Sequence, residues 1–133
     1  MPTRRTVFFI SDRTGITAEM LGNSLLTQFE DFQFRRITVP FIDSPEKVED
    51  VIRQVNETGA AEGRRPIVFS SVVDEIASET IRARAEALTL DLFQIFIAPL
   101  EAELAAKSSH AAGRTHGIAN SHEYYTRMEA INF

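Results

Sequence analysis

The chain has 133 residues, 44% of them hydrophobic and 25% charged, with 14 basic and 19 acidic side chains and a formal net charge of −5 at pH 7. That balance excludes a disordered chain and a basic nucleic-acid binder, and it fits one soluble domain able to bury roughly two-thirds of its unfolded surface. The absence of cysteine removes disulfides, thiolate chemistry and thiolate metal ligation, and it fits the cytoplasm.

Residues 1–5 precede only four apolar residues, Val7, Phe8, Phe9 and Ile10, before Ser11 and Asp12. Four are too few for a signal peptide or a membrane span, and they read as a first buried strand. A hydroxyl-rich turn, 11–17, leads into a helix with Ala18, Leu21, Leu25 and Phe29 on one face. Gly22 sits in its middle, where glycine is about 1 kcal/mol worse than alanine and marks close packing against a strand. Residues 37–41 form a second strand, and Pro40 near its end places it at a sheet edge. Only Lys47 and Lys107 are lysines, so twelve of the 14 basic residues are arginine. The pairs at 4–5, 35–36 and 64–65 each stand just before an expected strand and read as solvated approaches to it.

Asp43-Ser44-Pro45-Glu46 is a helix start, with Ser44 as N-cap and Pro45 in the first turn. Val48, Val51, Ile52 and Val55 supply its buried stripe, Gly59 ends it, and a polar loop over 60–65 leads to a third strand at 66–70. Asp74 caps a third helix carrying Ala77, Ile81 and Leu88. Residues 92–97 read as a fourth strand, and Pro99 opens a short helix with Leu100 and Leu104. A Ser/Gly/His-rich loop follows over 108–117, then a short helix with Tyr125, Met128 and Ile131 in register. The ending Ala130-Ile131-Asn132-Phe133 has no cap, charge run or polar tail, and is expected to be a cut inside a longer protein.

Apolar runs alternating with helix-period segments predict an α/β fold: a Rossmann-like or flavodoxin-like open, mostly parallel four-stranded sheet flanked by helices, with right-handed crossovers. Ligands of such sheets sit beyond the C-terminal strand ends. Three loops converge there, 11–17, 41–44 and 70–74, each with hydroxyls and an Asp.

The first of these loops is the candidate site. A strand–turn–helix junction aims free N–H groups and the positive end of a helix dipole at one point, which suits phosphate. Ser11, Thr14, Gly15 and Thr17 are the candidate phosphate or substrate ligands, and Asp12 is the candidate catalytic group, able to orient an attacking hydroxyl or a metal-bound water. Thr14-Gly15-x-Thr17 is similar to the phosphate loop of flavodoxins, which makes a flavin mononucleotide carrier one alternative. Against it, Trp is absent and Tyr124 and Tyr125, the two tyrosines, lie far along the chain. A second alternative is a noncatalytic interaction module in which Ser11, Asp12, Thr14 and Thr17 only cap and shape the turn. Neither G-x-G-x-x-G nor a Walker A loop occurs, so no nucleotide site is visible in these 133 residues. His110, His116 and His122 are spaced by six in a Gly-rich stretch and read as solvated loop residues, so no metal site is expected. Glu101 with Glu103, and Asp74 with Glu75, read as helix-surface and helix-start charge.

The run 6–19 (TVFFISDRTGITAE), followed by Leu21-Gly22-x-Ser24-Leu25-Leu26-x-Gln28-Phe29, closely resembles the start of the phosphoenolpyruvate synthase regulatory proteins. Pro40-Phe41-x-Asp43, Leu90-Asp91-Leu92-Phe93, Leu100-Glu101-x-Glu103-Leu104 and Tyr125-x-Arg127-Met128-Glu129-Ala130-Ile131 extend the resemblance, in order, over essentially the whole chain. It implies a bifunctional kinase and phosphorylase acting on phosphoenolpyruvate synthase or the related pyruvate phosphate dikinase. Such an enzyme uses ADP to phosphorylate a target threonine and inorganic phosphate to remove the group, releasing pyrophosphate. It also implies a second half with a G-x-S-x-x-G-K-T loop beyond Phe133. Residues 1–107 would then be an N-terminal regulatory domain, and 108–133 a loop and helix leading to the kinase domain. The segment would be inactive by itself and carry no cofactor. Arg13 stands where the family commonly has Gly or Ser, and a positive side chain there suits a phosphate-facing loop. Which enzyme is the target, and whether the protein is a homodimer, stay open; neither nucleic acid nor membrane is an expected partner.

Overall fold

The computed structural model describes residues 3–109. Its elements run β1 (Thr3–Ile10), α1 (Ile16–Leu26), β2 (Phe32–Val39), α2 (Pro45–Glu62), β3 (Ile67–Ser70), α3 (Glu75–Arg84), β4 (Leu88–Asp91) and α4 (Leu92–Leu104). The strands form one all-parallel sheet in the order β2-β1-β3-β4. This is the start of the flavodoxin-like order, and the chain reverses direction across the sheet between β1 and β3. β2 lies at an edge, as Pro40 predicts.

β1 is central, so both of its faces are covered and Val7, Phe8, Phe9 and Ile10 are all buried. Alternation divides them between two layers. Phe8 and Ile10 join Val48, Val51, Ile52, Val55, Val68, Val72 and Ile81 beneath α2 and α3. Val7 and Phe9 join Ala18, Leu26, Phe69 and Leu92 beneath α1 and α4. Gly22 faces this second layer: a Cβ there would lie 2.5 Å from Phe9 Cε1 and 2.9 Å from Phe69 Cδ2. The helix approaches the sheet closely because that atom is missing.

Several boundaries differ from the sequence reading. Residues 92–97 are helical, not a fourth strand; the strand is Leu88–Asp91, so Leu88 belongs to it and not to α3. A short apolar run reads equally as buried strand or buried helix, and here the Asp91 carboxylate, accepting the Gln94 N–H at 2.9 Å, decides for helix. Pro99 lies inside α4 and does not open it. α2 runs through Gly59, whose added Cβ would lie 2.9 Å from Pro66 Cδ, and stops at Gly63 with φ 74°. β2 begins at Phe32, which puts Arg35 and Arg36 within the strand, as Arg4 and Arg5 lie within β1. α1 ends at Leu26, leaving Leu25 and Phe29 exposed. The helix expected around Tyr125 falls outside the described residues.

The α2 start matches the reading: the Ser44 hydroxyl accepts the Lys47 N–H at 3.2 Å and Pro45 follows. Ser44→Ala should lower stability by about 1 kcal/mol. Urea unfolding should show it as a lower midpoint at unchanged slope.

Candidate functional site

The loops after β1, β2 and β3 meet at the C-terminal edge of the sheet and are tied by main-chain hydrogen bonds. Ile42 N–H donates to the Ser11 carbonyl at 2.9 Å, Phe41 N–H to the Arg13 carbonyl at 2.8 Å, and Ser71 N–H to the Ile10 carbonyl at 2.9 Å. Phe41 takes a left-handed conformation, φ 59°, to make its turn. The expected convergence of the three loops is therefore present.

Within the first loop the predicted residues divide by role. Ser11 is buried, and its hydroxyl accepts the Arg13 N–H at 2.9 Å, so it shapes the turn. Gly15 is the N-cap of α1 at φ 89°, with Thr38 Cγ2 only 3.1 Å from where a Cβ would stand. Having no side chain, it leaves α1 without a side-chain cap. α2, α3 and α4 by contrast are capped by Ser44, Asp74 and Asp91. Thr14 Oγ1 lies 3.4 Å from the Ile16 N–H, a long contact, and Thr17 is exposed in the first turn. Thr38, behind Gly15, donates its hydroxyl to the Glu19 carboxylate.

Asp12 spans two loops. Its Oδ2 accepts the N–H groups of Val73 at 2.9 Å and Asp74 at 3.3 Å, while among the described residues its Oδ1 is buried with no hydrogen-bond partner. Burial pushes its pKa above the usual carboxylate value, outweighing the two N–H groups that favour the charge; the nearby Asp74 carboxylate adds to the rise.

Two concavities flank this turn. A cleft of about 910 Å³ opens between α2 and α3, lined among others by Asp12, Asp43, Glu49 and Asp74. Of its neighbouring cations, Lys47 pairs with Asp43 and Arg84 with Glu49, holding both carboxyls below their usual range. Arg13 lines the cleft as well, alongside the four carboxylates of Asp12, Asp43, Glu49 and Asp74. On the other side, a groove of about 340 Å³ has a polar floor from residues 11–17 and Ser71, and an apolar wall from Phe93, Phe96, Ile97 and Leu100 of α4. The uncapped end of α1 belongs to this groove.

The α4 wall escaped the sequence reading, which took 92–97 as a strand. The signal was present in Asp91-Leu92-Phe93-Gln94, an N-cap acid with Gln at the third helical position. Among the described residues no group of three or more His, Asp or Glu could hold a metal ion. His110, His116 and His122 lie outside them. No described helix is long and apolar enough to cross a membrane.

The chain is similar in sequence to curated proteins that share one name. Relatives named as phosphoenolpyruvate synthase regulatory proteins occur in Janthinobacterium sp. (strain Marseille), 52% identical over 129 residues, and in Legionella pneumophila (strain Corby), 52% identical over 130. A third, in Burkholderia mallei (strain SAVP1), is 55% identical over 128 residues. These matches cover 97%, 98% and 96% of this chain, and 45%, 48% and 46% of the relatives. The chain thus spans just under half the length of the curated relatives it matches. The family described as kinase/pyrophosphorylase matches residues 7–133, and the chain belongs to that family.

Proposed function

We propose that the chain is the N-terminal part of a bifunctional kinase and phosphorylase that regulates phosphoenolpyruvate synthase or pyruvate phosphate dikinase. In one direction ADP supplies the phosphoryl group to a target threonine; in the other, inorganic phosphate accepts that group and leaves as pyrophosphate. The nucleotide loop belongs to the remaining half of such a protein. The family match and the names of the relatives support this reading.

The observation that carries the site is the uncapped start of α1 facing a groove floored by hydroxyls. Thr14, Gly15 and Thr17 contribute hydroxyl and N–H donors to a phosphate group, and Ser11 keeps the turn in shape. In the kinase direction Asp12, which lines the groove, is the group that would accept the proton of the attacking hydroxyl. Because burial already favours its protonated form, Asp12 can hold that proton at the end of the step.

The test uses the full-length protein with both Thr14 and Thr17 changed to valine. The KM for inorganic phosphate in the phosphorylase direction should rise about tenfold or more, the equivalent of about 1.4 kcal/mol in binding. An unchanged KM and turnover, with circular dichroism unaltered, would remove the turn from the phosphate site.

A further inference from the structure

α4 is the most apolar helix surface in the fold, and much of it has no cover among the described residues. Phe96, Leu100 and Leu104 recur every fourth position and are 56%, 51% and 69% exposed; Ile95 beside them is 51% exposed. Between Leu92 and Leu100 its one polar side chain is that of Gln94. A helix apolar on all sides belongs in an interior.

The chain itself turns back towards this helix. Ala105 is left-handed, φ 52°, and its N–H donates to the Ala102 carbonyl at 3.3 Å, while the Ala106 N–H donates to the Glu101 carbonyl at 3.2 Å. This is a Schellman reversal made without glycine. The Ser108 N–H then donates to the Glu101 carboxylate at 2.8 Å, holding the returning chain against the third turn of α4. Residues 118–133 follow, with Tyr124, Tyr125, Met128 and Ile131 spaced by three and four. From Ser109 to Tyr124 the chain can reach about 50 Å, while α4 is only about 20 Å long, so the segment can reach any point along it.

We propose that residues 118–133 pack against α4, setting Tyr124 or Tyr125, Met128 and Ile131 over the Phe96–Leu100–Leu104 row. Phe96 and Leu100 of this row also wall the groove beside residues 11–17, so the segment would pack along that wall, and the fluorescence test reads its packing without reference to phosphate. The spacing matches a helix stripe to a helix stripe, and covering the row removes three large side chains from water.

Tyr124 and Tyr125 are the chain's two tyrosines and tryptophan is absent, so intrinsic fluorescence reads this segment alone. In the 133-residue chain, acrylamide quenching should be several-fold weaker than in a synthetic peptide of residues 118–133. Leu100→Asp should raise it to the peptide's level. Met128→Asp should do the same while leaving the described core untouched, which covers the case in which Leu100→Asp fails to fold. Quenching in the unaltered chain equal to the peptide's overturns the proposal. So does protection that persists in Met128→Asp, or protection that vanishes on dilution as a dimer becomes a monomer, which would make a second copy the occupant.

Discussion

Truncating Phe9 to alanine should destabilise the fold by about 3–5 kcal/mol, the range for removing a fully enclosed aromatic side chain. Phe9 is 1% exposed on the central strand and stacks on Phe69 with ring centroids 5.8 Å apart and planes 17° from parallel. Both rings lie directly under Gly22. Gly22→Ala forces a methyl group against them, an overpacking of about 1–3 kcal/mol, offset by up to about 1 kcal/mol of helix propensity. Pairing it with Phe9→Leu opens room for the methyl group, so the double variant should be more stable than the sum of the single losses implies. Urea unfolding of the four proteins in the cycle measures the coupling. Additivity to within about 0.5 kcal/mol would show that Gly22 is not a contact point for Phe9.

The second large effect concerns Asp12, for which asparagine and alanine should part company. Asparagine keeps one acceptor for the Val73 and Asp74 N–H groups; alanine leaves both without it, a loss of about 1.5–3 kcal/mol for a bond to a charged acceptor. If the ionised carboxyl takes the proton of the attacking hydroxyl, kinase turnover in the full-length protein should fall by about 10²–10⁴ in both variants. Activity that survives in Asp12→Asn and is lost only in Asp12→Ala would reduce Asp12 to a brace.

The pH dependence follows from the same carboxyl. Its folded pKa lies above the ordinary value of 3.8, so the folded state holds the proton more tightly than the unfolded chain does. Its contribution to stability is full below 3.8 and lost as pH rises through the folded value. Asp43 and Glu49, lowered by Lys47 and Arg84, act in the opposite sense: their contributions are present above the ordinary values and lost as pH falls through the folded ones. In Asp12→Asn the falling limb just above pH 3.8 should vanish while the acid limb remains, as urea midpoints across pH 3–7 would show.

Where local chemistry determined structure, the sequence was legible. Val7 to Ile10 read as a buried strand, Ser44-Pro45 as a helix start and Gly22 as a close approach, and the fold has all three. The run 92–97 misled because its composition suits either period, and the deciding bond comes from Asp91, just outside it. The candidate turn was legible in position and only partly in role. Nothing local to Asp12 indicates that it reaches Val73 and Asp74, 61 and 62 residues away. Without that contact the burial that raises its pKa is invisible. The groove wall was missed for the same reason as α4.

Asp91 has a mechanical consequence. One of its oxygens caps α4, while the other accepts the Ser78 hydroxyl from α3 and lies 3.7 Å from Arg82 Nε. α3 and α4 cover opposite faces of the sheet, yet they hang from a single buried carboxylate at the end of β4. The layers behind the acidic cleft and behind the groove are therefore joined at one residue. Replacing Asp91 would remove the α4 cap and the α3 tie in one step, on both faces of the sheet at once.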